Sequence, residues 1–267
     1  MMNTDETAVF GFPDFAKTVV AECGPALRLA VEDSRLADEM FSALPKQMSL
    51  QQIVIYMLVR MTATGWSELL ILVGNGAGLG AMKLSRGMFE SAVMAEYLRN
   101  TPAEMDDYIE YGRVLDLKRL KMYPDSVSPE KAREIEREYN RVAPRFTNKH
   151  GKVRNHWNKH PMAFMAQQIG RSQQYEVPYS LAASIHHGNF EAMISHLSGD
   201  EASIDIDQPP SLRWLNQALA SGHVYFLQAL ATLNEFFNLG FELRLSAAGA
   251  AFEGVWRTST TETNKTP

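Results

Sequence analysis

The chain has 267 residues, 45% hydrophobic and 10% aromatic, with 21% charged and a formal net charge of −5. That apolar content excludes a disordered polymer, and the acidic balance excludes a protein coated along its length in nucleic acid. A single cysteine, Cys23, excludes an internal disulfide framework; the opening MMNTDETAVF lacks the basic start and apolar run of a secretory signal, so a cytoplasmic protein is expected.

In chain order, Phe12 to Leu44 carries helical apolar spacing, opened by Pro13-Asp14-Phe15 and interrupted at Gly24-Pro25. Ser49 is the expected N-cap of a second helix reaching Val73. Leu50 to Val73 is long enough to span a bilayer, but Arg60 and Glu68 are costly at that depth, so a buried helix and no membrane partner are expected. A third helix runs from Gly78 to Arg99, stopped by NTP. The fourth, PAEMDDYIEYGRVLDLKRLKMY, places carboxylates in its first turns and bases in its last, complementing the helix dipole. A Ser-Pro start opens a fifth, to Val142.

Residues 143–160 read as irregular. A short helix, PMAFMAQQIG, ends at Gly170, and another runs from Val177 to Leu197. An acidic loop, SGDEASIDIDQPPS, leads to a last long helix from Ser211 to Leu239, and RTSTTETNKTP has the composition of a disordered end. Runs of β-branched residues are short and never alternate cleanly. The expected fold is all-α, a single domain of mostly antiparallel helices forming a helical bundle with little or no sheet. Residues 1–44 form an N-terminal helical extension, 45–240 the core domain, and 241–267 a partly disordered C-terminal tail.

Three segments bear on chemistry. In ILVGNGAGLGAMKLSRGMFE, Gly76, Gly78 and Ala81 match the minimal G-x-G-x-x-G/A dinucleotide pattern. Helical spacing precedes them and no second strand follows, so the glycines are expected to turn one helix into the next, with no cofactor. Beyond the turn, Met82, Phe89, Val93 and Tyr97 share a helix face with Arg86, and Glu90 lies one turn on. That pair is either a buried ion pair fixing helix register or a charged group held in a cleft. In YSLAASIHHGNFEAMISHL, a stripe of Tyr179, Ala183, Phe190, Ile194 and Leu197 is interrupted by His186 or His187, beside Gly188.

SRGMFE with the following EYL, HWNKHPMAFMAQQIG and YSLAASIHHG together resemble the uncharacterised bacterial helical family known as domain of unknown function 5677. The resemblance covers about residues 45–240 and departs after the Trp, where NKH stands in place of small residues. It implies a helical fold with Arg86, Glu90, Trp157, Tyr179, Ser184 and His187 at characteristic positions, and no reaction. The site expected from it is a ligand-binding pocket for a small anionic ligand, with Trp157 as lid or wall.

The rival expectation comes from residues 141–160, RVAPRFTNKHGKVRNHWNKH, which hold six Lys/Arg, three His and no carboxylate. Within them Arg154-x5-His160 is similar to the R-x(4–6)-H signature of HEPN ribonucleases of toxin and phage-defence systems. That resemblance implies metal-independent RNA cleavage, His160 acting as general base or acid and Arg154 stabilising phosphorane-like charge, in a homodimer. It requires the motif to be helical and to face another helix; the first expectation instead has residues 154–160 form a loop closing over Arg86. No metal is expected. His150, His156, His160, His186, His187 and His196 fall in no H-E-x-x-H pattern, and Asp205 and Asp207 read as a solvated loop dyad. No G-x-S-x-G elbow is present, and the fourteen methionines read as core filler.

Overall fold

Helix ends follow their local signals in the computed structural model, which describes residues 11–190, 194, 197–200, 203–206 and 210–263. Ser49 caps α2 (Leu50–Gly74) in a reciprocal box: its hydroxyl accepts from the Gln52 amide, and Gln52 Oε1 accepts from the Ser49 amide. Ser128 caps α5 (Pro129–Phe146). α1 (Pro13–Ser42) is continuous through Pro25, correcting the interruption expected there; Cys23, Ala26, Leu29 and Ala30 are buried on either side of the proline and hold the helix through it. α3 (Gly78–Asn100) and α4 (Pro102–Met122) meet at Thr101.

α2, α3 and α9 (Leu215–Phe237) form the centre of the molecule. Trp66, Leu69, Phe89, Val93, Phe226 and Leu230 are shut off from solvent there. By length and composition α2 could cross a membrane; Ile55, Val59, Trp66, Leu69 and Val73 on one side of it are buried within the bundle. Gly222 lets α9 come close: a Cβ there would lie 2.6 Å from Leu69 Cδ1. α4 and α5 pack on each other around a smaller cluster of Tyr111, Val114, Val142 and Phe146, joined to the main core by Trp157.

The glycine segment is a turn between helices. α2 ends at Gly74, Gly76 takes φ +67°, and α3 starts at Gly78. The space a phosphate would need is filled by the chain itself. A Cβ on Gly78 would stand 2.1 Å from the Arg213 carbonyl oxygen, and Gly76 lies against Phe15 and the Ser211 amide. Asn75 completes the turn, accepting from the Phe12 amide and donating to the Ile71 carbonyl.

After a loop come α6 (Met162–Gln168), α7 (Ser172–Gln174), a π turn over Tyr175–Tyr179 and α8 (Ser180–His187). The helix expected to reach Leu197 stops at Gly188, which adopts φ +63°. Tyr179, Ala182 and Ile185 therefore form its buried face, whereas Phe190, Ile194 and Leu197 are exposed. Part of the expected acidic loop is a two-stranded antiparallel hairpin, β1 (Leu197–Asp200) with β2 (Ser203–Ile206), beside an otherwise all-helical fold.

Both ends of the chain differ from expectation. α1 is no appendage: Val19, Cys23, Ala30, Leu36 and Met40 belong to the main core. The stretch read as a tail contains α10 (Glu242–Thr263), which packs on α1 and α9 through Ala248 and Phe252. Small residues in AAGAAFEG weaken the sequence signal of an apolar face.

Candidate functional site

On α3, residues three and four apart line one face, and Met82, Phe89, Val93 and Tyr97 are buried along it. Arg86 shares that face, and α8 meets it there. Arg86 Nε donates to Glu90 Oε1 at 3.0 Å, within one turn of helix. Arg86 Nη1 lies 3.0 Å from His187 Nε2, a residue 101 positions away in the chain. The Tyr179 hydroxyl donates to Glu90 Oε1 at 2.9 Å. Four of the six residues singled out by resemblance thus form one connected polar network at the α3–α8 junction.

A guanidinium has only N–H donors, so the bond to His187 requires a lone pair on Nε2 and places the imidazole proton on Nδ1. A proton added at Nε2 would break this contact and set a second cation beside the first. Arg86 remains 22% exposed and Glu90 34%, so the network is open on one side to solvent. Burial works against the Arg86 charge, but the Glu90 carboxylate and Tyr179 outweigh it and hold the guanidinium above its ordinary value. Burial, then the negative charge of Glu90, pushes the Tyr179 hydroxyl up. Tyr179 also stacks with Tyr175 and tilts against Phe89, which fixes its ring and aims the hydroxyl at the carboxylate. The arrangement can hold an anion on the remaining guanidinium donors, with the fork oriented from behind by Glu90.

The other expected residues lie elsewhere. Trp157 stands edge-on to Tyr108 at 5.3 Å and bridges the two apolar clusters, which makes it a strut for α4 rather than a lid. Ser184 is taken up at the end of α8, where Asn189 donates to its hydroxyl and to its carbonyl. Arg154 and His160 lie in the loop between α5 and α6, not on a helix. The Arg154 guanidinium covers the Phe146 ring and its carbonyl accepts from Tyr111, while His160 stacks on Phe164 at 4.0 Å. Their side chains serve different partners. The basic loop exposes Lys149, His150, Lys152, His156 and Lys159 as a solvated cationic face. Among the described residues no three His, Cys, Asp or Glu are placed to hold a metal; His196 and Asp207 fall outside those residues.

A family model described as Family of unknown function (DUF5677) matches residues 51–204. The chain belongs to this family. No curated protein and no solved structure matches the chain.

The DUF5677 segment contains the whole Arg86–Glu90–Tyr179–His187 network, yet it is completed from outside by α9, which packs between α2 and α3. α9 also carries two polar features that sequence reasoning missed. His223 Nε2 lies 2.7 Å from Asp33 Oδ2 with both side chains almost wholly buried, tying α9 to α1. The His223 ring stacks on Trp66 at 4.9 Å and meets Phe252 of α10 edge-on. A histidine in the apolar run LASGHVYFLQAL was the available signal, but its partner is 190 residues away. Farther along α3, Glu96 accepts from Arg171 at 3.3 Å and from Gln228 at 2.9 Å. With the Arg86 network, this second clasp fastens the α6–α8 arm of the DUF5677 segment to α3 at two points.

Proposed function

We propose that the chain is a cytoplasmic binding protein that recognises a small anionic ligand, a carboxylate or a phosphate ester, at the α3–α8 junction. The observation that carries this reading is the half-open Arg86 guanidinium, oriented by Glu90 and approached by the exposed His187 imidazole. A purely structural ion pair is served by Glu90 alone. Here a second contact uses a neutral imidazole, which stabilises a buried charge less than a carboxylate does and which an incoming anion can replace. The fork keeps donors in a plane that matches two oxygens of a carboxylate or phosphate.

The test is calorimetric titration of the full chain with a panel of small carboxylates and phosphate monoesters, alongside Arg86→Lys and His187→Gln. Lysine keeps the charge and loses the planar fork, so affinity should fall about tenfold or more with the melting temperature nearly unchanged. His187→Gln leaves an acceptor for Arg86, so affinity should change less than in Arg86→Lys. Binding that Arg86→Lys leaves unaltered, or no binding by any panel member, would refute the proposal.

A further inference from the structure

The side of α2 that faces away from the core is not a polar surface. Leu50, Ile53, Met57, Met61 and Ile71 are 42–64% exposed along it. With Thr64 and Glu68 they recur at three- and four-residue spacing, the period of a helix face that meets another helix. Beside this ridge, between α2 and α3, runs a groove of about 340 Å³ lined by Met57, Met61, Gly65, Leu84, Gly87 and Met88. A Cβ added at Gly87 would meet nothing within 4 Å, so the groove is open to a side chain from outside. Five large apolar side chains left exposed along one side of a helix, beside an open groove, mark an interaction surface.

The charges identify the occupant. Arg60 and Glu68 are exposed on the same ridge, each four residues from Thr64 on opposite sides; Met57 and Ile71 are each seven residues from it. Among the described residues Glu68 has no ion pair, and Arg60 has only the Phe41 ring at 4.8 Å. The pattern is complementary to itself when reversed. A two-fold axis through Thr64 brings Arg60 of each copy opposite Glu68 of the other, and Met57 opposite Ile71, twice over. That reciprocity is what an isologous dimer requires. A lipid surface would instead meet a cation and an anion at the middle of its contact face, where each is costly. We infer that α2 is the interface of a homodimer, its two copies crossing antiparallel at Thr64 with Arg60 and Glu68 paired across the axis. This face is distinct from the Arg86 network: on α3, Leu84, Gly87 and Met88 turn toward the groove, and Arg86 and Glu90 turn toward α8.

Sedimentation equilibrium of the full chain tests this with three variants at exposed positions: E68R, R60E and the double exchange R60E/E68R. The wild type should sediment as a dimer. Each single reversal places like charges across the axis twice and should weaken association about tenfold or more. The double exchange restores opposite charges and should recover the dimer. T64R, with two cations on the axis, should be monomeric, and circular dichroism melts confirm that all variants fold. A wild type that stays monomeric at high concentration, a dimer indifferent to E68R, or a double exchange no better than the single changes would overturn the inference. So would a wild-type monomer that floats with neutral lipid vesicles.

Discussion

The hydroxyl of Tyr97 is buried against α4 and donates to Glu104 Oε1 at 2.8 Å. Burial first, then the nearby carboxylate, pushes it up from 10.0 to about 12. Tyr179 and Tyr225 move in the same direction, Tyr225 by burial. A folded-state value above the unfolded one means that the folded chain keeps protons which the unfolded chain releases. Stability from Tyr97 is therefore complete below about pH 10 and is lost as pH rises toward about 12. Urea unfolding measured across that window should show falling stability, and Tyr97→Phe should flatten the slope. An identical slope in the variant would mean that Tyr97 does not carry the effect.

At the scale of elements, the α2–α3 turn shows why glycine is required. Its close neighbours are backbone atoms, the Arg213 carbonyl oxygen and the Ser211 amide, which cannot rotate aside as a side chain can. Gly78→Ala should therefore cost about 1–3 kcal/mol in chemical denaturation. Gly87→Ala, with open space around its missing Cβ, should be neutral or slightly stabilising through helix propensity. Equal effects of the two changes would contradict the proposed close approach. The same contact explains why a phosphate-loop pattern appears in a chain without the fold that uses one: small residues admit either a ligand or another strand of backbone.

At the scale of the whole molecule, the two ends of the chain close the core. α10 contributes Ala248 and Phe252, pairs Arg244 with Glu39 of α1, and covers the ring of His223. Removing residues 242–267 should uncover the buried Asp33–His223 pair and lower the melting temperature by at least about 5 °C. An unchanged melt would make α10 an accessory. The family-matched segment, residues 51–204, lacks α1, α9 and α10, of which α9 packs on both α2 and α3 and α1 on α2.

Legibility in the sequence tracked the range of the interaction. Ser49, Ser128 and the apolar stripe through Phe89 act within one or two turns, so spacing revealed them. Arg86 and Glu90 were legible as a pair for the same reason, one helical turn apart. The arrival of His187 beside them was suggested by resemblance to the family, not by spacing, because nothing local links residues 101 positions apart. Trp157 was misplaced: its aromatic bulk was visible, but which helix it braces depends on how α4 leaves α3.

What the amino-acid sequence determined by itself was the helical class, the order of the long helices, most of their starts and the turn at Gly76–Gly78. Each of these follows from hydrogen bonds and side-chain contacts a few residues apart. Only the tertiary structure decided that α10 is part of the core and that His223 meets Asp33. Those outcomes depend on which distant surfaces exclude water together, and burial is a property of the assembled chain that no short window of residues contains.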